Sequence, residues 1–294
     1  MVETIHTKST LAERVNALAP FVGNTPLFDI SHLQDNPEVK IFAKLEWNQL
    51  SNSVKARAAY RIIKEAIDKG LVNENKGIID ASSGNTAVAY ATIGANIGLP
   101  ITLCVPENAS PQKRAALKAL GANMIYTSKF GTTDVAQEKA KELSIAHPDQ
   151  YYYADQYANE NNWKAHYYST ALEIWEQTEG QITHYVAGLG TTGTFIGTSR
   201  RLKELNPMIS LTSLQPECAM HGLEGWKHLE SAMVPKIYDE TIADQNLFVD
   251  TMDAYDMIKT AALKTGLLLS PSSAANLVGA LKVAESIDAG TIVT

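Results

Sequence analysis

The stretch SNSVKARAAY, residues 51–60, puts a lysine at the head of an apolar stripe. Ala59, Ile62, Ile63, Ala66 and Ile67 recur at spacings of three and four, which predicts an amphipathic helix packed on a core. Lys55 lies one turn before Ala59 on that stripe, while Arg57, Arg61, Lys64 and Glu65 fall on the face predicted to meet water. An ammonium aimed at a core is costly unless it is paired, neutralised or covalently used. Buried lysines are rare, and a side chain that merely precedes the buried segment would extend its amine outward instead. The segment by itself leaves both readings open.

Two other stretches have the composition of anion sites. SSGNT, residues 82–86, joins the predicted strand GIIDA to a helix rich in small residues. Hydroxyls, a glycine and free helix N–H groups converge there, which suits a carboxylate or a phosphate; an ordinary N-cap with a glycine turn has the same composition. GLGTTGT, residues 188–194, is again a strand-to-helix loop. Its glycines permit close backbone approach and its three threonines add donors. Read literally, Gly188, Gly190 and Gly193 match G-x-G-x-x-G, and Glu217 ends the next strand, where the ribose-binding acid of a dinucleotide site would stand. Against that, the motif lies mid-chain, and threonine hydroxyls suit one terminal phosphate better than a bridging pyrophosphate. A lysine amine, a carboxylate loop and a monophosphate loop together point to pyridoxal phosphate, whose aldehyde forms a Schiff base with a lysine. Burial and a helix N-terminus would both disfavour the ammonium of Lys55, leaving more free amine to react.

The elements that must hold these groups follow from the pattern along the chain. From residue 77, strands and helices alternate: GIIDA, the helix NTAVAYATIGANIG, the strand PITLCVP, the helix SPQKRAALKAL and the strand NMIYTS. Ser110 is the N-cap of SPQKRAALKAL, Pro111 takes its first position and Gly121 closes it. A less regular stretch, 147–165, carries tyrosines that read as structural. Alternation then resumes with THYVAG, TFIGTSRRLKEL and ISLTSLQ, and ends with the helix SSAANLVGALKVAESI and the strand GTIVT. This predicts an α/β protein with parallel sheets covered by helices, in two units with a seam near residue 150. Ligands in such sheets bind outside the carboxyl ends of the strands, where both loops fall. The chain stops inside a predicted strand at Thr294, so either the protein is short here or a C-terminal segment follows.

Composition narrows the partners. The 294 residues suit one large domain or two ordinary ones. A formal net charge of −7 with no long basic run speaks against nucleic acid and anionic membranes. No apolar stretch is long enough to span a bilayer. The N-terminal MVETIHTKSTLAERVNALAP is too polar for a secretory signal, which makes cytoplasm the default compartment. Cys104, in ITLCVPE, reads as a small core hydrophobe and forms no disulfide framework with Cys218. His221 and His228, seven apart, make no helical metal pair, and no metal is expected.

Five ordered motifs, spread nearly end to end, resemble one known family. They are VGNTPLFDI (22–30), KLEWNQLSNSVKARAAY (44–60), SSGNTA (82–87), GLGTTGT (188–194) and SPSSAA (270–275). In that order they resemble the opening motif, Schiff-base segment, substrate-carboxylate loop, phosphate loop and pyridine-nitrogen serine of fold-type II pyridoxal-phosphate enzymes of the cysteine synthase (O-acetylserine sulfhydrylase) / cystathionine β-synthase group. The resemblance implies a tryptophan synthase β-like fold of two domains, each a mostly parallel sheet flanked by helices. The smaller would comprise residues 1–12 and 38–152, the larger 13–37 and 153–294, with pyridoxal 5'-phosphate in the cleft between them. It implies that Lys55 forms the Schiff base and later removes the Cα proton, and that Asn85 hydrogen-bonds the ring hydroxyl. Gly190, Thr191, Thr192, Gly193 and Thr194 would cradle the phosphate, and Ser272 would face the pyridine nitrogen. Ser82, Ser83, Gly84 and Thr86 would hold the substrate carboxylate, with Gln156 reaching it from the other domain. A neutral serine need not keep the pyridine nitrogen protonated; the weaker electron sink favours loss of a good β leaving group. The implied reaction is β-replacement on O-acetylserine or O-phosphoserine, with sulfide adding to give L-cysteine, and closure of the smaller domain excluding water. A homodimer that binds serine acetyltransferase tails is a further family expectation.

The sequence departs from the family pattern at Ser51 and Asn52, where a small or glycine pair is usual, and at Ala56, where an acidic residue is familiar. Thr192 stands where glycine is common, and Ser270 and Pro271 replace a glycine-containing pair. HGLEGWKHL, 221–229, occupies a region that shapes the substrate mouth in the family. Asn52 alters the space beside the Schiff base, so other products stay open: cystathionine, lanthionine or 2,3-diaminopropionate from another thiol or amine. A non-catalytic partner-binding paralogue and a nucleotide-dependent oxidoreductase are the remaining alternatives; an intact Lys55 argues against the former.

Overall fold

The computed structural model describes residues 9–130 and 133–294. Residues 1–8, which head the expected smaller domain and carry part of the polar N-terminal stretch, lie outside the described residues, as do 131–132. In chain order the strands are β1 (Leu27–Asp29), β2 (Val39–Lys44), β3 (Gly77–Ala81), β4 (Ile101–Pro106), β5 (Asn123–Thr127), β6 (Tyr151–Tyr153), β7 (His184–Gly188), β8 (Ser210–Pro216), β9 (Gln245–Val249) and β10 (Gly290–Val293). The helices are α1 (Leu11–Asn16), α2 (Lys55–Asp68), α3 (Asn85–Ile97), α4 (Pro111–Ala119), α5 (Thr133–Ala146), α6 (Glu160–Tyr168), α7 (Thr170–Gln177), α8 (Gly193–Leu205), α9 (Thr251–Thr265) and α10 (Pro271–Ala284).

The chain forms two compact units, one from residues up to Gly23 with Gln49–Asn161, the other from Asn24–Asn48 with Asn162–Thr294. The first holds a parallel sheet in the order β5-β4-β3-β6. Every residue of β3 and β4 is buried, as expected of strands covered on both faces. One face packs Ile78 and Leu103 against Ile62, Ile63, Ile93 and Ile97 of α2 and α3. The other packs Ile79, Ala81 and Cys104 against Ala136 and Ala140 of α5, so Cys104 is a core residue. The second unit holds the sheet β1-β2-β10-β7-β8-β9, parallel except for the β1–β2 pair.

The expected domain bounds are corrected at three places. Residues 38–48 belong to the second unit, because β2 pairs with β1 on one side and β10 on the other. Residues 13–23 belong to the first, where Val15 of α1 joins the core. Residues 153–161 follow β6 and stay with the first unit. Apolar periodicity identifies a strand but not the sheet it joins, and β2 reaches its parallel neighbour β10 only across most of the chain.

Local signals fared better. Ser110 caps α4 by accepting the Lys113 N–H at 3.3 Å, and Gly121 beyond it has φ 75°. Helix α2 buries Ala59, Ile62, Ile63 and Ala66 as predicted. Arg57, placed by the pattern on the water face, is instead only 2% exposed. Among the described residues no helix is long and apolar enough to cross a membrane.

A buried charge anchors the segment that leads into β1. The Lys44 ammonium pairs with Glu173 Oε2 at 2.8 Å and donates to the Thr25 carbonyl (2.6 Å) and Gln177 Oε1 (3.0 Å). The other Glu173 oxygen accepts the Asn24 N–H at 3.0 Å. Removing one partner of such a pair leaves a buried charge uncompensated. Lys44→Met is therefore expected to lower unfolding free energy by about 3 kcal/mol, read as a lower urea midpoint at an unchanged slope.

Candidate active site

Lys55 opens α2, and the turn before it is unusual. Ser51 (φ 63°) and Asn52 (φ 52°) are consecutive left-handed residues. Only glycine adopts that region without cost, asparagine tolerates it and serine less so, which gives a physical reason for glycine or a small residue there in the family. The Ser51 and Ser53 hydroxyls are buried and make no hydrogen bond. The Lys55 side chain is partly buried and has no carboxylate partner among the described residues. Desolvation draws its pKa down from 10.5 to about 8.

The 82–86 loop links the end of β3 to the start of α3. Ser82 Oγ accepts the N–H groups of Gly84 (3.2 Å) and Ala87 (3.3 Å), leaving its own hydrogen to donate. Thr86 Oγ1 donates to Gln156 Oε1 at 2.8 Å, and Gln156 Nε2 donates to the Ala81 carbonyl at 3.0 Å. Gln156 thus belongs to the same unit as the loop and is bonded to it, a correction to the expectation that it reaches across from the other domain. Ser83 and Gly84 are partly exposed; Asn85 is exposed and makes no hydrogen bond among the described residues.

The 188–194 loop lies in the second unit, between β7 and α8. A Cβ on Gly190 would stand 2.2 Å from the Gly225 carbonyl, and one on Gly193 2.0 Å from Asn162 Oδ1. These glycines are accounted for by packing within the protein, not by a dinucleotide, and Glu217 is exposed. Thr192 has φ 69°, a strained conformation for a β-branched residue and the reason glycine is common there. Its Oγ1 is buried without a hydrogen-bond partner. Asn162 Nδ2 donates to Thr191 Oγ1 at 2.9 Å. His166 Nε2 lies 3.3 Å from Thr194 Oγ1, and its Nδ1 2.9 Å from Thr170 Oγ1. Sequence reasoning missed both α6 residues; their spacing of four on a helix was the readable signal.

Ser272, in the first turn of α10, is tied to this loop. Asn276 Nδ2 donates to the Ser272 carbonyl (3.2 Å), and Asn276 Oδ1 accepts the Gly188 N–H (2.8 Å). Ser270 is the N-cap and Pro271 the first residue of α10, so the departure from a glycine-containing pair makes an orthodox helix start. His221 and His228 lie in the 221–229 loop, and His228 Nδ1 bonds Ser231 Oγ at 2.8 Å.

In the first unit a lysine with a depressed pKa and a loop of hydroxyls and N–H groups fit an aldehyde and a carboxylate; in the second, taken by itself, a helix N-terminus with an orphaned buried hydroxyl fits a phosphate. This chemistry on two helix-flanked parallel sheets defines a class: α/β enzymes that bind such a cofactor through a lysine. Comparison with known proteins agrees. The family model described as pyridoxal-phosphate dependent enzyme matches residues 18–294. A cysteine synthase of Aquifex aeolicus is 45% identical over 93% of this chain and 86% of its own length. An O-acetylserine dependent cystathionine beta-synthase of Bacillus subtilis is 34% identical, covering 94% and 92%. The crystal structure of a hydrogen sulfide-producing enzyme from Fusobacterium nucleatum superposes with a TM-score of 0.88 at 31% identity, covering 95% and 96%. The chain belongs to the pyridoxal-phosphate-dependent enzyme family and is an enzyme of the cysteine synthase type.

The Lys55 pKa has a direct consequence. The free amine is the nucleophile, so the rate at which apoprotein takes up pyridoxal phosphate is expected to rise with pH and level off above about 8. Stopped-flow absorbance across the pH range reads the midpoint; one near that of ordinary lysine contradicts the desolvated amine.

Proposed function

We propose that the protein makes L-cysteine by replacing the β substituent of an activated serine, O-acetylserine or O-phosphoserine, with sulfide. The observation that carries this reading is Lys55, an amine without a counter-ion among the described residues whose pKa is drawn to about 8, on a chain similar to a cysteine synthase. Bound pyridoxal phosphate supplies the electron sink that makes the Cα proton acidic and lets the β substituent leave. Lys55 would hold the cofactor aldehyde until the substrate's own amine displaces it, and the freed lysine amine would take the Cα proton, a task suited to a base that titrates near working pH.

The remaining residues orient the reactants. The N–H groups of the 190–194 loop and the Thr191, Thr192 and Thr194 hydroxyls take the phosphate, helped by the α8 N-terminus. Asn85, whose side chain makes no hydrogen bond among the described residues, takes the ring hydroxyl, and Ser272 takes the ring nitrogen. Ser82, Ser83, Gly84 and Thr86 hold the substrate carboxylate, with Gln156 fixing Thr86. A second reading, β-replacement by a larger thiol to give cystathionine, is favoured by the similarity to the Bacillus relative.

The test is the visible absorbance of the holoenzyme. O-acetylserine is expected to shift the cofactor band, and sulfide to restore it as cysteine appears. Lys55→Ala should lose the band and slow turnover by roughly 10²–10⁴-fold or more. A band moved only by O-phosphoserine would reassign the donor, and restoration only by a larger thiol the nucleophile. No band after reconstitution would refute the assignment of Lys55.

A further inference from the structure

Asp80, next to last in β3, is fully buried, and no step of the reaction above uses it. Its Oδ1 accepts the Ala81 N–H at 2.8 Å and its Oδ2 the Gln156 N–H at 3.3 Å. Gln156 turns its side chain back to the same loop, donating to the Ala81 carbonyl and accepting the Thr86 hydroxyl. These four hydrogen bonds connect a single carboxylate to the hydroxyl assigned to the substrate carboxylate. Both Asp80 oxygens take an N–H, which is the arrangement of an ionised group; a protonated carboxyl must donate from one oxygen.

Among the described residues no cation compensates that charge. The groups facing Asp80 are Tyr90 on α3, Cys104 on β4, Tyr153 on β6, and Asp155 and Tyr157 just beyond β6. Asp155 adds like charge, and desolvation pushes the Asp80 pKa up to about 7. The buried Tyr90 hydroxyl stands beside it, favours the ionised form, and has no partner of full hydrogen-bond geometry. A protonated Asp80 would have to donate from one oxygen, and an oxygen turned to Tyr90 would give up the Gln156 N–H.

We propose that Asp80 is a positioning residue for the amino-acid substrate: ionised, it holds Gln156 and through it Thr86, and protonation loosens that hold and weakens amino-acid binding. This rests on the reading of residues 82–86 as the substrate-carboxylate loop. Above the Asp80 pKa the hold is present; as pH falls through it the hold is lost. Repulsion between Asp80 and the substrate carboxylate would act in the opposite sense to the hold that Asp80 exerts on Thr86 through Gln156.

The test is the apparent dissociation constant of O-acetylserine, read from the cofactor absorbance of the holoenzyme without sulfide, at about pH 6 and about pH 8.5, on either side of the Asp80 pKa. Dividing the Asp80→Asn constant by the wild-type one cancels the titration of the substrate's own amine. The ratio is expected to be roughly tenfold at the higher pH, the size of one lost hydrogen bond to a charged group, and to fall toward unity at the lower. A ratio independent of pH makes Asp80 a structural residue and overturns the proposal, as does a ratio below unity at the higher pH. Gln156→Ala removes the link while keeping Asp80, and serves if Asp80→Asn does not fold; its ratio to wild type should show the same trend. Thr86→Val separates the two levels. If it binds as wild type, the loop assignment fails; if it weakens binding while Asp80→Asn does not, the present inference alone fails.

Discussion

Lys55 carries an amine withdrawn from water and, among the described residues, given no carboxylate. Lys55 stands at the head of α2, where the partial positive charge of the helix adds to the cost of an ammonium. Both effects move the equilibrium toward the neutral amine, the form that attacks an aldehyde and accepts a proton. An isolated ammonium in such a place is a liability; a covalently engaged nitrogen is not. The buried strands β3 and β4 and the apolar face of α2 hold the helix start in place.

Non-glycine left-handed residues stand ahead of Lys55, at Ser51 and Asn52, and in the 188–194 loop, at Thr192; Asn24, Asp155 and Glu179 adopt the same region elsewhere. Ser51, Asn52 and Thr192 are positions where small residues or glycine are usual in the family, and the φ values give the reason. This chain accepts strain there and gains polar side chains in return, two of which, Ser51 and Thr192, keep buried hydroxyls with no internal partner. Unsatisfied buried donors and non-glycine left-handed residues are costly in a structural core and are concentrated at functional sites.

The parts of this arrangement legible in the sequence were those encoded locally. The stripe ahead of Ile62 and Ile63, the Ser110–Pro111 cap of α4, and the loops at 82–86 and 188–194 each carry their signal within a dozen residues. What escaped was set by distant pairing. β2 looked like any strand near the first unit but completes a sheet with β10, so its unit was misassigned. Gln156 was named from the family resemblance but placed in the other domain, because its stretch has no periodicity and only β6 pairing with β3 brings it beside Thr86. Arg57 breaks the charge pattern of α2 because tertiary packing overrode amphipathicity. Asn162 and His166 were hidden because polar residues one turn apart usually mark a solvated face, whereas here both are buried against the 188–194 loop.

The most direct test of the central claim is chemical mapping of the lysine. Holoenzyme reduced with borohydride and digested should yield one cofactor-labelled peptide, with the label on Lys55. A label on another lysine, such as the buried Lys44, or a holoenzyme with no reducible linkage, would contradict the account from its starting point.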